Sequence, residues 1–458
     1  MSIPAWVPDS IFYQIFPDRF ANGEPSNDPA NVQAWGAPPT RWHYQGGDLA
    51  GITQNLDYLQ DLGISALYLN PIFHSTANHR YHTIDYFKLD PFLGELDDFK
   101  ALIKELHRRG MRIIIDGVLN HCGRGHFAFD DVLENGRRSP YVDWFHIKRF
   151  PLKAFSRGPA RNFTGWWDIK DLPKFNTDNP AVRKHLLDAT RYWTELGLDG
   201  WRLDVPNEID DDEFWAEYRA LVTGINPDAY LLGEIWTLST RWVDDQHFHG
   251  LMNYPLRNAI QGELLGDPDV AALRAHLQIA AGSYSLDTRL AMYNLLGSHD
   301  TSRIISKLRG HRAKTFLAYA ALLAMPGVPA IYYGDEIGLR GGKEPASRGA
   351  FPWDETQWDQ ELRAWIQKLI SIRQASAALR RGELSDKTPH GDDFLIFERR
   401  HHQESVTLLL NFSDQTQRYP VMDRAQSELL TGETYAPRED VVVAPWSTAW
   451  LQPLGGVA

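Results

Sequence analysis

One cysteine, Cys122, stands in a chain of 458 residues. No intrachain disulfide can form, so packing alone must hold the core, as suits a reducing compartment. No apolar run is long enough to span a bilayer. The opening Met1-Ser2-Ile3-Pro4-Ala5-Trp6-Val7-Pro8-Asp9 has neither the basic start nor the apolar core of a secretion signal. These absences predict a cytoplasmic protein without a membrane partner. A dense basic block is missing too: 47 Lys and Arg against 59 Asp and Glu leave a net charge of −12, which argues against nucleic acid as a partner. There is no internal repeat and no low-complexity tail. What is present is ordinary globular material, 43% hydrophobic and 23% charged, enough for one large domain and one or two smaller ones.

The periodicity predicts an α/β fold. Short, nearly continuous apolar runs end at Ile15, Asn70, Asp116, Leu203, Gly233, Asn253, Asn294 and Tyr333, and amphipathic stretches separate them. Such runs mark parallel strands covered by helices, and eight strand–helix units make a (β/α)8 TIM barrel. The seventh strand is expected over Leu290 to Asn294 and the sixth over Gly250 to Asn253. From His121 to Leu172 the composition turns aromatic, Gly-, Pro- and Arg-rich without a clean period, which reads as a domain inserted after strand three. After a helix near Glu361 to Gln374, short alternating runs suggest an antiparallel β-sandwich. The expected division is barrel over 1–120, inserted B domain over 121–172, barrel again over 173–380 and C-terminal β-sandwich over 381–458.

The centre of the chain is Gly197-Leu198-Asp199-Gly200-Trp201-Arg202-Leu203-Asp204-Val205-Pro206. Residues two apart on a strand share a face, so Arg202 and Asp204 point together, where a cation would keep the acid ionised. Tyr230-Leu231-Leu232-Gly233-Glu234 and Met292-Tyr293-Asn294-Leu295-Leu296-Gly297-Ser298-His299-Asp300 are two further apolar stretches that end in an acid. A parallel barrel gathers the C-terminal ends of its strands on one face, where its catalytic groups sit. Two such acids could flank a glycosidic bond as nucleophile and general acid, with the third supporting a cationic transition state.

These stretches resemble, in order, motifs of the α-amylase family of glycoside hydrolases: Asp116-Gly117-Val118-Leu119-Asn120-His121, Gly200-Trp201-Arg202-Leu203-Asp204, Gly233-Glu234-Ile235-Trp236, Ser298-His299-Asp300, and Gly327 to Glu336. The resemblance implies a barrel with B domain and C-terminal β-domain, and an α-glucan oligosaccharide as substrate, cleaved with retention through a glycosyl-enzyme intermediate. It implies Asp204 as nucleophile, Glu234 as general acid/base and Asp300 as transition-state stabiliser. His121, Arg202 and His299 then match sugar ligands at the cleavage subsite, and Tyr81 the aromatic platform beneath that sugar. Glu234 would need a less polar setting than Asp204, which would stay ionised beside Arg202.

Within the family the chain is similar to the neopullulanase, cyclomaltodextrinase and maltogenic amylase group, through Leu172-Pro173-Lys174-Phe175-Asn176 and Asp204-Val205-Pro206-Asn207-Glu208. Asn207, Glu208 and Trp236 are therefore added as substrate-binding candidates. Thr237 after Trp236 and His82 after Tyr81 depart from the group's pattern and bear on specificity. That group usually carries an N-terminal β-domain that builds a dimer. Here the first barrel strand begins within the first 15 residues, so a cleft more open, or shaped by another loop, is expected, and the oligomeric state is left open. Asn22, Glu24, Asn27, Asp28, Gly46 and Asp48 resemble a calcium loop of the group, with a structural role for the ion, and no organic cofactor is implied. An α-glucosidase or a glucosyl-transferring or isomerising enzyme of the same scaffold is the alternative, and a non-catalytic carbohydrate-binding barrel the remote one.

Overall fold

The computed structural model describes residues 2–267, 272–389, 393–422 and 424–454. Its strands Phe12–Ile15, Ala66–Leu69, Arg112–Gly117, Gly200–Leu203, Tyr230–Gly233, Gly250–Leu251, Tyr293–Asn294 and Val328–Tyr332 form one parallel eight-stranded sheet. The sheet closes on itself. Phe12 is in register with both Ala66 and Ala330, and a parallel bridge between Met252 and Tyr293 joins the sixth strand to the seventh. The chain is thus a TIM barrel, as the strand–helix alternation predicts.

Alternation along each strand sorts side chains between two cores. Phe12, Ile114, Tyr230, Leu232 and Tyr293 fill the interior of the barrel, while Tyr13, Ile113, Ile115, Leu231 and Trp201 pack outward against the helices. Two strand boundaries differ from expectation. Residues Leu286–Leu290 form a helix, started by the Ser285 side chain accepting from Thr288 N–H, and the seventh strand is only Tyr293–Asn294. The sixth stops at Leu251, because Asn253 caps the helix Tyr254–Leu265 through Leu256 N–H. The first helix is also interrupted: Asn55 divides Leu49–Gln54 from Leu56–Leu62.

After the third strand the chain leaves the barrel and returns in the helix Pro180–Glu195. This excursion has little regular structure. The bridges His121 to Lys174, Phe145 to Phe175 and Gly165 to Pro173 hold it, around the aromatic contacts of Phe129 with Phe145 and Phe163. After the second strand, an antiparallel hairpin of Phe73–Ser75 and Thr83–Leu89 projects above the barrel, with Tyr81 in its turn. The last part of the chain pairs a six-stranded sheet with a two-stranded one. Ile396, Leu409, Val421, Val441, Val443 and Leu451 are buried between them, the expected antiparallel β-sandwich. Among the described residues no helix is long and apolar enough to cross a membrane.

Candidate active site

Along the fourth strand Trp201 and Leu203 join the outer core, so Arg202 and Asp204 face the barrel axis, where Arg202 meets Met252 Sδ and the Tyr68 ring. Its guanidinium is wholly buried and is the hub of the site. Arg202 Nη1 lies 2.8 Å from Asp116 Oδ1 and 3.0 Å from Asp204 Oδ1, and Nη2 lies 2.8 Å from Glu234 Oε1. Glu234 also accepts the Val205 N–H at 3.1 Å and the Trp236 indole N–H at 3.3 Å.

Three buried carboxylates share this one cation, where the sequence shows only Asp204 beside it. Burial pushes Asp204 above the usual carboxylate range, against Arg202 and with help from the charges of Glu234 and Asp116. Burial likewise raises Glu234 to about 7, opposed by Arg202 and reinforced by Asp300. The cluster as a unit retains a proton. Within it, Nη1 makes an aligned hydrogen bond to Asp204 at 3.0 Å, while Glu234 accepts from Val205 and Trp236 and its close contact with Nη2 is not aligned as a hydrogen bond.

Asp300 comes from beyond the seventh strand. Arg348 Nη2 reaches Asp300 Oδ1 at 3.2 Å, and Arg348 Nε donates to the His299 carbonyl at 3.0 Å. The amides of Gln14 and Asn70 donate to His299 Nδ1 at 2.9 and 3.1 Å, which leaves the ring proton on Nε2. That nitrogen is 2.7 Å from the Tyr81 hydroxyl and 3.1 Å from Asp300 Oδ2. Tyr81 in turn donates to Asp116 Oδ2 at 2.7 Å, and its ring lies parallel to His299 with centroids 5.4 Å apart. Burial, with the Arg348 and Arg202 charges, pushes the His299 imidazole well below its usual range, so it is neutral. One continuous network therefore links Asp204, Glu234, Asp300, Arg202, His299 and Tyr81.

The other candidates lie around this network. His121 is buried and its ring packs on Trp166 at 5.3 Å. Trp236 is half exposed and stacks on Tyr254 at 3.7 Å. Asn207 is exposed, and Glu208 accepts from Lys174 Nζ through its carbonyl at 2.6 Å; both stand on a 3-10 turn after Asp204, and Glu208's contacts run to Lys174 rather than to the acids. Sequence reasoning did not place Asp116, Tyr68, Gln14, Asn70 or Arg348 in the site. Asp116 carried a usable signal, since Ile113-Ile114-Ile115-Asp116 is also a strand ending in an acid.

Away from the acids, Asn22 Nδ2 donates to both Asp28 oxygens at 3.0 Å. Gly46 has a φ of +85°, and a Cβ there would lie 2.2 Å from Asp28 Oδ1. Asp48 accepts from Gly51 N–H at 2.6 Å and from Asn27 Nδ2 at 3.2 Å. Glu24 joins them through its backbone N–H, which donates to Asp48 Oδ2 at 2.8 Å, while its exposed carboxylate accepts from Ser26 N–H at 3.1 Å and caps its own turn.

A carboxylate that can attack beside one that holds a proton is what cleavage of a glycosidic bond requires. Known proteins agree. The model described as alpha amylase, catalytic domain, matches residues 14–381, and the chain belongs to this family of glycoside hydrolases. The cyclomaltodextrinase of Geobacillus thermopakistaniensis (strain MAS1) is 40% identical over 451 residues, 96% of this chain and 75% of that one. Neopullulanase 2 of Thermoactinomyces vulgaris is 41% identical over 414 residues, 89% of this chain and 70% of that one. Among solved structures, the cyclic α-maltosyl-(1→6)-maltose hydrolase of Arthrobacter globiformis, in complex with cyclic α-maltosyl-(1→6)-maltose, superposes with a TM-score of 0.91 at 40% identity. The match covers 99% of this chain and all of that one.

Proposed function

We propose that the chain hydrolyses α-1,4-glucosidic bonds of maltooligosaccharides, cyclodextrins or pullulan with retention of configuration. Asp204 attacks the anomeric carbon while Glu234 gives its proton to the leaving oxygen; water, deprotonated by Glu234, then displaces Asp204. Asp300, held by Arg348 and His299, steadies the positive charge on the ring, and Tyr81 and His121 bear on that sugar. The observation that carries this reading is the single guanidinium of Arg202 in contact with both Asp204 and Glu234. Two carboxylates on one fork suit the close spacing of roughly 5–5.5 Å that retaining enzymes use. Relatives named for cyclomaltodextrin, pullulan and a cyclic maltosyl-maltose support the substrate class. The test is a product time course on maltotriose, cyclodextrin and pullulan with the anomer followed by NMR. Initial release of the α-anomer is expected, with activity at background in Asp204→Asn and Glu234→Gln. Full turnover by clean Asp204→Asn protein would sink the assignment. The half-exposed Trp236, stacked on Tyr254 beside Glu234, could hold a sugar acceptor, and transfer products at high substrate concentration would mark that second reading.

Calcium belongs to the same proposal. Asn22 Oδ1 and Asn27 Oδ1 are buried without partners among the described residues, and Asp28 and the Gly46 carbonyl stand beside them. Burial, and after it the Asp48 charge, raises Asp28 against its hydrogen bond from Asn22. Orphaned amide oxygens next to two acids fit a hard cation, which would be held by Asn22, Asn27, Asp28, Gly46 and Asp48 and would pin the loop. A cytoplasmic setting completes the reading, supported by the single buried thiol and by a relative named intracellular maltogenic amylase.

A further inference from the structure

Three aromatic rings climb the wall of the inserted region. His121, at the floor, is 1% exposed; Trp166 packs on it with ring centroids 5.3 Å apart and planes at 21°. Trp167 stacks on Trp166 at 4.6 Å and 11°, yet is itself 77% exposed. One face of its indole is covered by Trp166, and the outer face is free.

Two further observations mark this as a built feature. Trp167 adopts φ +47° and Asp168 φ +57°, two successive residues in the left-handed region. For a bulky residue that backbone is an outlier, and such strain persists only where the surroundings enforce it. The turn is fixed by Asp168 N–H to Gly165 O at 3.0 Å and Ala160 N–H to Asp168 O at 2.7 Å. The strain is therefore spent on holding a large apolar ring in water, the reverse of what stability favours. Below it, Trp166 Nε1 and His121 Nε2 are buried with no hydrogen-bond partner among the described residues, and a buried polar group left unpaired is costly. A ligand with an apolar ring face and a rim of hydroxyls would satisfy all three features at once.

We propose that Trp167 is the stacking platform of a further sugar subsite, taking a glucopyranosyl unit of an α-glucan chain several residues long, with Trp166 Nε1 donating to a hydroxyl of that chain. The proposal rests on the α-glucan reading above and extends it outward from His121. Two stacking distances separate Trp167 from His121, so a chain that runs up this wall from the acids covers the platform more fully the more glucosyl units it has.

The test compares maltotriose with maltoheptaose on wild type, Trp167→Asn and Trp167→Phe. Asparagine tolerates the left-handed backbone and lacks the ring, so the fold is retained; circular dichroism and Tm verify this. Trp167→Asn is expected to raise KM for maltoheptaose about two- to tenfold, the range of one aromatic contact, with a smaller rise for maltotriose and the phenylalanine variant near wild type. Unchanged KM for both substrates overturns the proposal, and so does an equal loss for both, which would show a merely structural ring. Calorimetric titration of maltoheptaose into the Asp204→Asn protein, with and without Trp167, reads the platform independently of turnover. Weaker binding without the ring supports it and equal binding overturns it, while absence of hydrolysis by the intact chain would count against the proposed function alone.

Discussion

Val205 donates its backbone N–H to Glu234 Oε2 at 3.1 Å from a left-handed conformation with φ +37° and ψ +50°. The residue directly after Asp204 thus holds the neighbouring acid, so one turn sets the positions of both carboxylates. A β-branched side chain in that region is strained. In Val205→Gly the strain is removed and chain entropy is added, by roughly 1–3 and 0.5–1 kcal/mol respectively. Denaturant midpoints should show a stability equal to wild type or higher by ~1 kcal/mol, while kcat falls because the turn loosens its hold on Glu234.

Arg202, itself buried, balances the buried acids Asp116, Asp204 and Glu234. Its replacement by methionine leaves three buried acids without a cation, and removing one partner of a buried pair costs about 3–5 kcal/mol. Those acids can take up protons as the pH falls. Urea titrations of Arg202→Met should therefore show a larger loss at pH 8 than at pH 5, with glucan hydrolysis at background at both.

Glu234 donates a proton in the first step, and burial sets its carboxyl at about 7. Activity against a maltooligosaccharide should decline as the pH rises through about 7, and kcat/KM against pH reports this limb. A flat profile from pH 6 to 9 would rule Glu234 out as the acid.

Glu336 is buried beneath the barrel's last loop, accepting from the Tyr13 and Tyr58 hydroxyls at 2.7 and 2.5 Å. Burial raises it to about 7 from a reference of 4.5. The folded chain keeps this proton where the unfolded chain has released it, so its contribution is full below pH 4.5 and lost as the pH rises through 7. The loss is about 3 kcal/mol. Glu336→Gln should shrink the fall in unfolding free energy between pH 5 and pH 8 by that order.

Calcium bound at Asp28 and Asp48 would stabilise only the folded chain. A chelator should lower Tm and added calcium should restore it, whereas Asp28→Asn protein should be indifferent to both. An equal response of the two proteins would place any bound ion elsewhere.

Much of this molecule was legible in the sequence because its acids stand where strand periodicity changes. Leu231-Leu232-Gly233-Glu234 and Arg202-Leu203-Asp204 announce both the strand and the group at its end, and the structure brings those groups to one guanidinium. The run Leu290-Ala291-Met292-Tyr293-Asn294 holds its strand, but only at Tyr293–Asn294, because the helix started by the Ser285 cap extends to Leu290 and a short apolar run does not mark that boundary. Arg348 and Gln14 could not be assigned to the site by spacing, since Gln14 reaches His299 across the barrel closure and Arg348 reaches it from the loop after the eighth strand. The company Arg202 keeps was hidden for a related reason: its place beside Asp204 is visible in sequence, but the other two acids it serves are not.

Tyr13 and Glu336 are hydrogen-bonded although 323 residues separate them, and the first strand pairs with the eighth in the same seam. During synthesis the free edge of Phe12–Ile15 must wait for nearly three quarters of the protein to leave the ribosome. Until then that edge is an unpaired strand border open to pairing with other chains, a hazard that the strength of the finished barrel does nothing to remove.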